Sequence, residues 1–132
     1  MNYTTITAFE LTAMHDRLEN TARGLPGTAD RGKAEAAAER IAMLNHYGEL
    51  PDVWHVAAAH LEAVARAHAF VDMNKRTSLL NMLVFLHRQG ITLRNDTEAG
   101  DALVELTVNA ATGEANRAAI AAELQQLQRL VA

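Results

Sequence analysis

There is no cysteine in the 132-residue sequence. That removes disulfide frameworks, thiolate zinc sites and cysteine nucleophiles at one stroke, and it fits a reducing, cytoplasmic setting. Aromatic residues make up only 5% of the chain. Leu, Ala, Val, Ile and Met must therefore do most of the packing. There is no excess of positive charge: the formal net charge is -4. A basic face for direct nucleic-acid binding is not expected, although a few local cations suffice to hold phosphates. No long apolar run occurs. "LLNMLVFL" has eight residues, against the ~20 needed to cross a bilayer. The opening "MNYTTITAF" lacks a basic region followed by an apolar stretch, so neither a signal peptide nor a membrane anchor is expected. Internal repeats and low-complexity linkers are absent too.

What is present suits one domain over 1–132 with a single core: 49% of residues are hydrophobic and 21% charged. The chain reads as helices separated by short breaks. "TAFE" at residues 7–10 has capping-box spacing and opens a first helix to about Asn20, with Ile6 as a hydrophobic staple. The two glycines and the proline of "GLPG" break periodicity. A second, alanine-rich helix starts around Asp30 or Gly32 and ends near Gly48. Asp52 caps a third, in which Val53, Ala57, Leu61 and Val64 share one face; four residues further along that face stands His68. A fourth runs from about Asn74 to Gln89, stopped by Gly90. "ITLRND" is extended. A fifth runs from about Thr97 to Ala111, and a sixth from about Glu114 to Leu130. The fourth helix is apolar on nearly all sides, which predicts an all-α bundle of about six helices with that helix at its centre.

Against this apolar background "HAFVDMNKRT", residues 68–77, packs a His, an Asp, an Asn, a Lys and an Arg into nine positions. A helix N-terminus offers free N–H groups and the positive end of the dipole. Here it begins with Asn74, Lys75 and Arg76, and Arg can grip two phosphate oxygens at once. His68 ends the preceding helix and faces the same anion across a short turn, where a neutral imidazole serves as general base to an incoming hydroxyl. Asp72 is the carboxylate able to hold Mg2+. Phe70 plugs the turn. Base, metal ligand and anion grip are the parts that phosphoryl or nucleotidyl transfer needs. Arg66 either reaches the phosphates or lies exposed. Asn81, in so apolar a helix, needs a hydrogen-bond partner. The bland alternative is a capping His and a solvated first turn. Buried charge is costly unless used or paired, which favours the functional reading of the whole set.

The other histidines suggest no metal centre. His55, His60 and His68 stand at spacings of five and eight, and no His-Glu-x-x-His occurs. His15-Asp16 reads as a structural pair at the first helix. Lys33, Glu35 and Glu39 read as a solvated face.

The stretch at 68–77 resembles the signature of the Fic/Doc family, His-x-Phe-x-Asp/Glu-Gly-Asn-Gly-Arg. His68, Phe70, Asp72, Asn74 and Arg76 stand at the matching places, while Met73 and Lys75 replace the two glycines. Lys at the second place marks the Doc branch; Met73 is less usual and puts the shape of the loop in question. "HDR" at 15–17, "GLPG" at 24–27, "GKAEA" at 32–36, "VFLHRQG" at 84–90 and "LTVNAATGE" at 106–114 also resemble Doc proteins in order and spacing. The resemblance implies the toxin of a toxin–antitoxin pair. Such a toxin is a protein kinase that moves the γ-phosphate of ATP, with Mg2+, to a threonine of elongation factor Tu, inhibiting translation and arresting growth. It also implies a Phd-like antitoxin acting in trans. Some Fic proteins carry an inhibitory Ser/Thr-x-x-x-Glu helix, and no Glu of this chain has Ser or Thr four residues earlier. The alternatives are a Fic-type AMP transferase acting on a protein hydroxyl, a non-catalytic corepressor that binds an antitoxin, and a helix-turn-helix DNA binder. The acidic balance tells against the last.

Overall fold

The computed structural model describes residues 3–21, 31–67 and 74–129. They form six helices: α1 (Ala8–Thr21), α2 (Arg31–His46), α3 (Val53–Ala67), α4 (Asn74–Arg88), α5 (Thr97–Thr112) and α6 (Arg117–Gln126). The expected capping box is closed. Thr7 Oγ1 accepts from the Glu10 N–H and Glu10 Oε1 accepts from the Thr7 N–H, each at 3.1 Å. Ile6 and Leu11, at the two staple positions, are both buried in the core. Asp52 caps α3 by accepting from the His55 N–H at 2.9 Å. Gly90 follows α4 with φ +77, a left-handed conformation that suits glycine.

Both boundaries of the sixth helix differ from the sequence reading, each for its own reason. The sixth helix starts at Arg117 because Asn116, not Glu114, is the cap: its side chain accepts from the Ala119 N–H at 2.8 Å. It ends at Gln126 because the chain leaves the helix to pair with the segment before α5. Arg94 N–H donates to the Leu127 carbonyl and Arg129 N–H to that of Thr92, both at 2.8 Å, around an antiparallel bridge between Leu93 and Gln128. The extended "ITLRND" is thus present as one side of that bridge.

The centre of the bundle is α3, not α4. α3 packs against α2, α4, α5 and α6, whereas α4 packs against α1, α3 and α5. Ten of the residues of α3 are buried, among them Ala57, Ala58, Ala59, Leu61 and Val64. Leu79, Leu80, Leu83 and Val84 of α4 are only half-buried. Alanines let neighbouring backbones come close on several sides, and a helix of bulky leucines does not. No described helix is long and apolar enough to cross a membrane.

His60 lies in this core, fully buried and stacked on Phe85 with ring centroids 4.4 Å apart. The Ile6 N–H donates to its Nε2 at 3.2 Å, so Nδ1 carries the proton and donates to the Val56 carbonyl at 2.8 Å. Burial, the largest cause, takes the imidazole down from 6.5 to about 4, although the Val56 bond opposes it. Above pH 6.5 the ring is neutral in folded and unfolded chains alike. As pH falls from 6.5 towards 4 the unfolded chain takes up the proton and the folded chain does not. Stability should therefore drop across that window, by on the order of 3 kcal/mol in all, and the loss should stop growing below pH 4. Denaturant titrations from pH 7 to 4 check this. The His60→Gln variant should lose most of that slope; parallel decline of variant and wild type would assign it elsewhere.

Candidate active site

The site is built where α3 ends and α4 begins. The Asn74 amide nitrogen donates to the Ala65 carbonyl at 2.6 Å, fastening the first residue of α4 to the last turn of α3. Lys75 and Arg76 follow, both exposed, on the first turn of a 15-residue helix. The helix N-terminus and the two cations thus present positive potential outward together. Ser78 donates its hydroxyl to the Lys75 carbonyl at 2.7 Å, and this bond steadies the turn. Thr77, Ser78 and Asn81 are fully buried behind it. The Asn81 amide nitrogen finds the partners the sequence demanded, the carbonyls of Ser78 at 2.8 Å and His60 at 3.1 Å. Among the described residues its Oδ1, like Asn74 Oδ1 and Thr77 Oγ1, is buried without a partner. His68, Phe70, Asp72 and Met73 lie outside the described residues.

Arg66 occupies the last turn of α3. Its Nε donates to the Ala110 carbonyl of α5 at 2.9 Å, and its Nη1 stands 3.7 Å from Glu62 Oε2. The side chain is still 42% exposed. It lines a cleft of about 360 Å3 between α2 and α3, together with Lys33, Arg40 and Glu62, over a floor that includes Ala37 and Ala63. This cleft runs to Ala67, the residue before His68.

Glu62 and Arg117 were missed in the sequence. Glu62 is buried at 7% exposure, the one buried carboxylate among the described residues, and Arg117 Nη2 donates to its Oε1 at 2.9 Å. The i,i+4 spacing of Glu62 and Arg66 was a readable signal. Arg117 lies 55 residues away and gave none. Two further histidines sit in local pairs: His55 contacts its capping Asp52 at 2.7 Å, and buried His15 contacts Asp16 at 3.2 Å. Among the described residues no group of three or more His, Asp or Glu side chains could hold a metal ion.

The profile of the Fic/DOC family matches residues 5–86, which takes in α1 to α3, α4 as far as Leu86, and the whole stretch from His68 to Thr77. The chain belongs to the Fic/Doc family. Within it, the chain is 42% identical over 118 residues to a protein named "Protein kinase doc" from Escherichia phage P1, covering 89% of this chain and 90% of the phage protein. It is 39% identical over 96 residues to "Toxin Doc" of Mycolicibacterium smegmatis, covering 72% and 73%. The stretch that matches the Fic/Doc signature thus begins at the residue after α3, and its Asn74, Lys75 and Arg76 form the first turn of α4.

Proposed function

We propose that this Fic/Doc chain is a Doc-type toxin: a protein kinase that transfers the γ-phosphate of ATP to a protein hydroxyl. The observation that carries the reading is the first turn of α4, where Lys75 stands in place of the second signature glycine, exposed beside Arg76 at a helix N-terminus. The site suits an anion of high charge: two cations, the helix dipole and Arg66 one turn from the junction. Lys75, Arg76, Arg66 and Asn74 grip the phosphates. His68 takes the proton from the incoming hydroxyl as its oxygen attacks the γ-phosphorus; the bond from that phosphorus to the β,γ-bridging oxygen breaks and ADP leaves. Phe70 supports the loop. Asp72 is the residue to hold Mg2+, which when bound would offset phosphate charge. A glycine at position 75 would leave space for distal phosphates; the Lys side chain fills that space, so the nucleotide sits reversed, with its γ-phosphate towards His68. We assign the whole of 1–132 to this one domain, since α5 and α6, beyond the family match, both pack on α3.

The substrate we propose is a threonine of elongation factor Tu, modified in the cytoplasm, with arrest of translation. The brake comes in trans from a Phd-like antitoxin whose C-terminal segment folds on the toxin. A groove of about 420 Å3 between α1 and α2, lined by Ala8, Phe9, Ala13 and Glu35, is the docking face we assign to it. Phe9 is 84% exposed there, an unusual position for a large aromatic in a chain with so few.

Incubation with γ-labelled ATP, Mg2+ and a bacterial lysate tests the reaction. Label should enter one translation factor, with the mass of a phosphate. Modification by AMP instead would place the chain with the AMP transferases, and no modification would leave the corepressor reading. In cells, expression alone should arrest growth and co-expression of a neighbouring antitoxin gene should restore it. Harmless expression of a fully active kinase would overturn the proposed control.

A further inference from the structure

We propose that Arg117 is a positioning residue for the phosphate grip, acting through Glu62 to keep Arg66 available to the nucleotide. This rests on the assignment of Arg66 to the phosphates. A buried carboxylate beside an anion site is an unfavourable neighbour: it repels phosphate, and it draws towards itself whichever cation is nearest. Glu62 is such a group, buried one helical turn before Arg66 on the wall of the same cleft. The two oxygens of Glu62 are not engaged equally. Arg117, from the first position of α6, donates to Oε1 at 2.9 Å, a full charge-assisted hydrogen bond. Arg66 stays at 3.7 Å from Oε2, beyond hydrogen-bond reach, while its Nε is fixed on the Ala110 carbonyl at 2.9 Å. Arg117 therefore neutralises Glu62, and α5 steers the Arg66 head without using its charge. Arg117 Nε is buried with no partner among the described residues, a cost that an apolar pair at these positions would avoid.

The consequence is a non-additive pattern in nucleotide affinity. In Arg117→Gln, Glu62 has Arg66 as its remaining partner among the described residues, and the Arg66 charge is drawn inward. Calorimetric titration of the purified protein with ATP and Mg2+ should then show a dissociation constant raised on the order of five- to tenfold. The double variant Glu62→Gln/Arg117→Gln has no carboxylate to satisfy and should return to within about twofold of wild type. A merely structural pair would lower the thermal midpoint of Arg117→Gln without moving the dissociation constant, and that result overturns the proposal. Persistence of weak binding in the double variant overturns it as well. Arg66→Gln separates this failure from that of the underlying assignment. If it leaves affinity unchanged, Arg66 is no phosphate ligand and both fall. If it weakens affinity while Arg117→Gln does not, only the role of Arg117 is wrong.

Discussion

His68→Ala should abolish phosphate transfer and growth arrest while leaving the helical fold in place. A positioned general base contributes ~100- to 10,000-fold to a transfer reaction. The fold does not depend on it to the same degree, because the end of α3 and the start of α4 are fastened by other groups. The Asn74 amide holds the Ala65 carbonyl from the α4 side, and Arg66 holds the Ala110 carbonyl from the α5 side. His68 follows directly after Ala67, where α3 ends. A general base lost from a fixed scaffold lowers the rate of the chemical step and leaves ATP binding little changed. Transfer of label from γ-labelled ATP, with circular dichroism and an ATP titration on the same preparation, reads all three quantities. A folded His68→Ala protein that still phosphorylated its substrate at the wild-type rate would remove His68 from the mechanism.

The pattern of local signals in the sequence carried over where the physics is local. The Thr7–Glu10 capping box, the Asp52 cap and the Gly90 stop depend on residues a few positions apart, and each appears in the structure. The choice of central helix depends on how closely neighbours can approach, which hydropathy does not report. Leu-rich α4 looked central, and Ala-rich α3 takes the place because small side chains admit four neighbours. The end of α6 depended on a pairing between residues 92–94 and 127–129, a contact no local pattern announces. The site divides in the same way. Asn74, Lys75 and Arg76 form the first turn of a helix as their order suggested. The contacts of Arg66 with Ala110 and of Glu62 with Arg117 span 44 and 55 residues and became visible only with the fold.

Lys75→Gly should reduce phosphate transfer on the order of 100-fold, the scale on which a charge-stabilising donor at a transferred group acts. Little else should change. The Lys75 side chain is exposed, so no packing is lost. Its carbonyl is held by the Ser78 hydroxyl at 2.7 Å, a bond to the backbone that the substitution leaves intact. The helix cost of a glycine is about 1 kcal/mol, enough to lower the thermal midpoint by a few degrees without unfolding the chain. The loss of transfer has two separable origins. One is the missing cation, which Lys75→Met removes while keeping the bulk of the side chain. The other is the space opened at the helix N-terminus, which only glycine provides. If bulk sets the orientation of the nucleotide, the glycine variant should fall further than the methionine variant, and mass spectrometry of its products should be searched for AMP on the same hydroxyl. If cation and bulk act only through phosphate affinity, the two variants should fall together and transfer phosphate alone. Unchanged transfer in Lys75→Gly would show that the residue distinguishing this signature from the glycine form plays no part in choosing which phosphate is moved.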